Sequence, residues 1–265
     1  MLTRTFALDR VPAHMLTVIL QTSSGAMHGG DSLHQQFHAQ SGTAAHVTTQ
    51  GASSIHRADP GLTTEERVTI TVEEGGYMEY LPEPRILFPD AALDQAIEID
   101  CAAGGVVLVS DAFTIHDPEA MGRGFRRLAS TTILRCDKDP VMVERMDISG
   151  LGRGRTARCA AFGSVLLAIP GRTDGVEALA AELTASFATI PGLYGAASTL
   201  PGDNVGIGTR LAAHDLRAVT AGIQVVWIAI RRLLYGVTPP SRRKGGDHPL
   251  LLSGSTATTT FDHAR

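Results

Sequence analysis

The chain has 265 residues, of which 43% are hydrophobic and 19% charged, with 28 glycines, 13 prolines and a formal net charge of −4. This is ordinary globular usage, which excludes a disordered or collagen-like chain and leaves room for one large domain or two small ones. A mildly acidic chain lacks the positive field on which non-specific nucleic-acid binding relies, so no nucleic-acid partner is expected.

Met1 to Arg10 has no continuous apolar core followed by a small-residue cleavage site, so no secretory signal is read there. From Leu16 to about Ile148 the pattern is mostly period two. Val68, Ile70 and Val72 alternate with Thr69 and Thr71, and Ile97 and Ile99 alternate with Glu98 and Asp100. That alternation predicts strands. Turn signals interrupt it at Gly29-Gly30-Asp31, Asp59-Pro60-Gly61, Glu74-Gly75-Gly76, Gly104-Gly105 and Asp139-Pro140. Their spacing predicts many short antiparallel strands in a sandwich, barrel or rolled sheet.

Leu151 to Ala157 is rich in Gly and Arg and is the natural joint between this β-rich region and the C-terminal part of the chain. Helical spacing of Val176, Leu179, Ala180, Leu183 and Phe187 predicts a helix over Gly175 to Ala188, with Asp174 as its cap and Pro191-Gly192 as its stop. Gly192 to Leu200 and Val205 to Leu211, around Pro201-Gly202-Asp203-Asn204, predict a hairpin. A second helix is predicted from Asp215 to Tyr235, ended by Gly236 and Pro239-Pro240. Its apolar stretch, Ala218 to Ile230, is too short to span a bilayer, so no membrane is expected. The helix is expected to be mostly core, its apolar stripe having that use already, with an acidic partner at its Arg231 and Arg232 end as the alternative. The expected class is mostly β (α+β), rolled two-layer antiparallel sheets with two C-terminal helices. One domain is expected over 1–240, β-rich to 150 and mixed helical after it, with a disordered tail over 241–265.

Catalytic motifs are absent from the sequence: no Gly-x-Ser-x-Gly, no phosphate-binding Gly-rich loop ending in Lys-Ser or Lys-Thr, no His-Glu-x-x-His. Gly152-Arg153-Gly154-Arg155 lacks the strand and long helix that a dinucleotide loop requires. Cys101, Cys136 and Cys159 have neither paired zinc spacing nor an even count, which suits a reducing cytoplasm. Six of the ten histidines, His14, His28, His34, His38, His46 and His56, fall in the first 56 positions. On a strand over Ser32 to Ala39, His34, Gln36 and His38 share one face, and two imidazoles on one face are candidate metal ligands. A solvated polar face explains the same alternation.

Three local clusters are more unusual. They are Met27-His28-Gly29-Gly30-Asp31, Val47-Thr48-Thr49-Gln50-Gly51-Ala52-Ser53, and the stretch Tyr77 to Phe88 with Glu79 and Tyr80-Leu81-Pro82-Glu83-Pro84-Arg85. Gly-Gly-Asp, then Thr-Thr-Gln seventeen positions on, then Glu-Tyr-Leu-Pro followed by Ile-Leu-Phe resembles the urease accessory protein family UreD, also called UreH. The resemblance continues through Gly122-Arg123-Gly124, Val143-Glu144-Arg145 and the Tyr235-Gly236 and Pro239-Pro240 ending. It covers roughly Leu16 to Pro240. Where the family commonly has Trp-Leu-Pro-Gln, this chain has Tyr80, Leu81, Pro82 and Glu83. The N-terminus reads as shortened, and Ser241-Arg242-Arg243 replaces an aromatic after the Pro-Pro.

The resemblance implies a non-enzymatic cytoplasmic scaffold that binds UreF, UreG and apo-urease and helps nickel reach the urease site. No tightly bound cofactor is implied, only nickel in transit. Passage calls for weak serial oxygen ligands, because a multi-His or thiolate cage would trap the ion. Gly29, Gly30, Asp31, Thr48, Thr49, Gln50, Glu79, Pro82 and Glu144 are the candidates for a conduit or for the interface that continues it. Transient nickel contacts are expected at Asp31, Glu79 and Glu144 before His34 or His38. Structural uses compete: a turn cap for Asp31, a satisfied strand end for Thr48 to Gln50, and ion pairs with neighbours such as Arg85 or Arg145 for Glu79 and Glu144. Two other classes stay open, a metal-dependent enzyme using His34, His38 and a carboxylate, and an adaptor with no ion path.

Overall fold

A computed structural model describes residues 2–151, 158–172, 174–201 and 205–240. Strands β1 (Leu2–Phe6) and β2 (Met15–Leu20) pair antiparallel, and a short β3 (Ala26–Met27) comes next. The chain then alternates between two sheets. β4 (Ser32–Ala39), β7 (Thr64–Val72), β10 (Ala92–Cys101) and β12 (Arg127–Cys136) lie side by side in one sheet, closed by β13 (Asp139–Ser149). β5 (Ala44–Thr49), β6 (Ser53–Ile55), β8 (Tyr77–Tyr80), β9 (Arg85–Leu87) and β11 (Val106–Ile115) join β1 to β3 in the other. That second sheet is completed by β14 (Ala161–Ala168), β15 (Leu193–Thr199) and β16 (Gly206–Ala213), making eleven strands against five.

The expected antiparallel rolled sheets are therefore corrected to mixed, parallel-rich, solenoid-like ones. β4, β7, β10 and β12 are parallel neighbours, as are β2, β5, β8 and β11. Glu74-Gly75-Gly76 and Gly104-Gly105 do turn the chain, but into the facing sheet, so each coil lays a parallel strand beside the one before. Gly76 and Gly105 sit where a Cβ would come within 2.9 Å of the carbonyl oxygens of Ala39 and Glu73. Only glycine lets stacked corners approach this closely. Asp139-Pro140 is likewise not the turn: the β12–β13 hairpin turns at Asp137 and Lys138, both at positive φ, and Pro140 lies in β13, the edge strand of its sheet.

Period two decides the layers. Along β11, Val107 and Val109 pack with Val68, Ile70, Ile97 and Ile99 between the sheets, while Leu108 and Ala112 pack on the opposite face. That opposite face is covered by helices α1 (Val176–Ala188) and α2 (Leu216–Tyr235) through Leu183, Phe187, Val219, Val226 and Trp227. The β15–β16 hairpin forms as expected. Asp174 is not the cap of α1: Gly175, left-handed at φ 80°, occupies that position without a side-chain bond. Asp215 does cap α2, accepting from the Arg217 amide, and left-handed Gly236 ends it. At 20 residues, α2 is long and apolar enough to cross a membrane by length and composition, unlike the shorter stretch read from sequence. Its buried side here includes Gly222, Ile230 and Arg231. The joint over 151–157 (beyond Leu151), the Gly152 to Arg155 motif, the 202–204 turn and the 241–265 tail lie outside the described residues.

Candidate functional site

Two charged constellations are built into the layers. The first lies between the eleven-stranded sheet and α2. Met78 and Tyr80 face the other sheet, so alternation turns Glu79 toward the helices, where it is fully buried. Arg231 reaches it with Nε at 2.5 Å from Oε1 and Nη2 at 3.0 Å from Oε2, His46 Nδ1 lies 2.6 Å from Oε2, and the Tyr77 hydroxyl donates to Oε1. Arg231 also meets Asp9 at 3.2 Å and the Val11 carbonyl at 3.3 Å, under the rings of Tyr77, Trp227 and Tyr235. Burial pushes the Glu79 carboxyl up, but the His46 and Arg231 hydrogen bonds outweigh it and hold the pKa at about 2. Arg231 is thus an internal tie, in line with the core placement expected of the helix, whereas Arg232 beside it is exposed.

The second constellation lies between the sheets. Arg85 Nε is 2.7 Å from Glu66 Oε2 and its Nη1 is 2.5 Å from Asp111 Oδ1, while Gln95 Nε2 donates to Asp111 Oδ2 at 2.9 Å. A cavity of about 640 Å³ on one side is lined by Gln35, Thr49, Gln50, Glu66, Pro82 and Arg85, among others. On the other side, cavities of about 550 and 340 Å³ share Asp111, Thr132, Glu144, Ser164 and Arg210. Glu144 pairs with Arg210 of β16, bridging the sheets there, rather than with Arg145. Arg85 pairs with Glu66 and Asp111 rather than with Glu79.

The structure gathers some of the sequence candidates and separates others. Thr49, Gln50 and Pro82 line the 640 Å³ cavity with His34 at its border, and Glu144 lines the opposite pair. Glu79 lines none of these three. Thr48 donates to the Leu81 carbonyl at 2.8 Å, and Thr49 accepts from the Glu83 amide at 2.9 Å, so Thr-Thr-Gln and Leu-Pro-Glu are one stacked feature of adjacent strands. Gly29, Gly30 and Asp31 form a turn. A Cβ on Gly29 would stand 2.6 Å from Ala58, Gly30 has φ 92°, and Asp31 accepts from the His28 amide at 2.7 Å. His38 bonds Glu73 at 2.8 Å and His34 bonds Ser32 at 3.1 Å. Among the described residues no group of three His, Cys, Asp or Glu side chains is placed to hold a metal ion.

The early histidines have other uses. Met27, Ile55, Leu87 and Ile115 are successive register partners across β3, β6, β9 and β11, so of the residues after them His28, His56 and Phe88 stack as a ladder and His116 meets Phe88 edge-on. Burial, and then neighbouring His28, lower the His56 pKa. Sequence patterns do not single out Glu66, Asp111, Arg210, His46 or Asp9. Parity carries a signal for two of them: Glu66 shares its face with Val68, Ile70 and Val72, and Asp111 shares its face with Val107 and Val109. No local pattern points to Arg210 or Asp9.

A family model described as UreD urease accessory protein matches residues 2–245. Among curated relatives, "Urease accessory protein UreD 2" of Bradyrhizobium sp. strain BTAi1 is 48% identical over 236 residues, covering 89% of this chain and 82% of the relative. The protein of the same name from Bradyrhizobium sp. strain ORS 278 is 46% identical over 240 residues, with the same coverage. "Urease accessory protein UreD 1" of Pseudomonas syringae pv. tomato is 30% identical over 249 residues, covering 91% of this chain and 85% of the relative. With the model match spanning nearly its whole length, the chain belongs to the UreD urease accessory protein family.

Proposed function

We propose that this chain acts in urease maturation as a non-catalytic cytoplasmic scaffold that, with UreF and UreG, passes nickel to apo-urease through the space between its two sheets. The observation that supports this reading is the meeting of cavities at the Glu66–Arg85–Asp111 chain, with oxygen-bearing side chains on either side. Nickel competes poorly with copper for most protein ligands, so its delivery is best controlled inside a closed complex. Carboxylates, hydroxyls and amides spaced along a path hold such an ion loosely enough to release it. Thr49 and Gln50 border the entry on one side, and Asp111, Thr132 and Glu144 continue the path on the other. Glu79 is left out of the path, because it faces the helices and every partner it has is buried with it.

The test is coexpression with the urease subunits and the other accessory proteins. Asp111→Asn and Glu144→Gln are expected to keep UreF and urease in copurified complexes yet yield urease with low nickel content. Normally metallated urease from both variants would sink the conduit reading.

A further inference from the structure

The divide between the two sides of the inter-sheet space is made by side chains. Arg85 on β9 and Asp111 on β11 belong to the eleven-stranded sheet, and Glu66 on β7 and Gln95 on β10 belong to the five-stranded one. The Arg85–Glu66 and Gln95–Asp111 bonds therefore cross from sheet to sheet at the same level. Arg85 and Glu66 line the 640 Å³ cavity, whereas Asp111 lines the 550 and 340 Å³ ones, so the Arg85–Asp111 contact stands between them. The Arg85 side chain is 5% exposed and touches a carboxylate on each side. A guanidinium with two carboxylate partners is held in a fixed orientation, because its planar fork satisfies both at once.

We propose that Arg85 is a built-in barrier to divalent cations, a tethered positive group seated between the two carboxylates that a passing ion would otherwise use. The inference rests on the reading that the inter-sheet space carries nickel, and it adds the residue that decides whether that space is open. The geometry gives Arg85 two effects in one. It fills the gap between Glu66 and Asp111, and it leaves the three groups with one net negative charge instead of two. An ion advancing from the Thr49 and Gln50 side meets a fixed positive charge before it reaches Asp111. Passage then requires the guanidinium to swing away from Asp111, a motion that a docked partner loading either sheet would assist.

The experiment measures nickel binding to the isolated full chain by equilibrium dialysis, as a difference from wild type so that surface histidines cancel. Arg85→Gln is expected to bind nickel roughly tenfold or more tightly, since a fixed like charge has left the side of two carboxylates. Adding Asp111→Asn should cut the gain back, since Glu66 is then the one carboxylate left charged. Removing one member of a buried ion pair can prevent folding, so Glu66→Gln/Arg85→Gln is made as well. That double variant carries no excess negative charge, frees Asp111, and is expected to keep a smaller gain. Wild-type nickel binding by either folded variant would overturn the barrier. A gain in binding with no change in the nickel content of coexpressed urease would support the barrier and overturn the delivery reading instead.

Discussion

Arg231 of α2 and Glu79 of β8, 152 positions apart, form a two-pronged ion pair with neither side chain exposed to solvent. It joins the last helix to the middle of the eleven-stranded sheet, and through Asp9 and Val11 it also anchors the segment between β1 and β2. Desolvating two charges is costly, so a buried pair is tolerated only where further hydrogen bonds complete it. Here His46 and Tyr77 supply them.

Glu79→Met and Arg231→Met should each destabilise the protein by about 3–5 kcal/mol, since each strands a buried charge. The double replacement Glu79→Met/Arg231→Met should recover much of that loss. Urea unfolding of the two single variants and the double gives the coupling directly. Additive losses would mean that the pair is not one unit.

Acid should act through the same pair. The Glu79 carboxyl is held at about 2 against an ordinary 4.5, so its contribution is fully present above about pH 4.5 and is lost as pH falls toward about 2. The difference corresponds to roughly 3 kcal/mol, because one pKa step is about 1.4 kcal/mol. Urea midpoints measured over this range should fall steeply in the wild type and less steeply in Glu79→Gln. Parallel slopes would remove Glu79 as the titrating group.

The Gly-Gly-Asp turn separates two reasons for glycine. Gly29→Ala places a methyl group 2.6 Å from Ala58 and should cost about 1–3 kcal/mol as overpacking. Gly30→Ala meets open space but must hold φ 92°, for about 1 kcal/mol. Thermal unfolding should rank Gly29→Ala as the less stable. The reverse order would mean that conformation, not crowding, dominates this turn.

Arg210 and Glu144 are half-exposed, so Arg210→Ala should leave the unfolding free energy measured in urea within about 0.5 kcal/mol of wild type. The variant frees Glu144, and nickel loading of coexpressed urease should be no lower than with wild type, the opposite of Glu144→Gln. Equal losses of loading in both variants would show that the bridge, not the carboxylate, matters there.

Local chemistry made much of the architecture legible. The strand alternation of Val68 to Val72, the helix over Val176 to Ala188, the Asp215 and Gly236 ends of α2 and the β15–β16 hairpin all arise from periodicity and capping. The direction of strand pairing did not, because a Gly-Gly corner reads the same whether the next strand returns beside its predecessor or crosses to the facing sheet. The clustering of Thr48 to Gln50 with Leu81 to Glu83 becomes visible once β5 and β8 are parallel neighbours.

Residue order alone sets the polar residues, their parity along each strand and the family resemblance they carry. Their partners are set by packing. It sends Glu79 to Arg231 in the helix layer, and it places Arg85 between Glu66 and Asp111 where the cavities meet. The reason is physical: alternation assigns a side chain to a face of its own strand, whereas an ion pair needs two faces brought together, and that depends on how the coils stack.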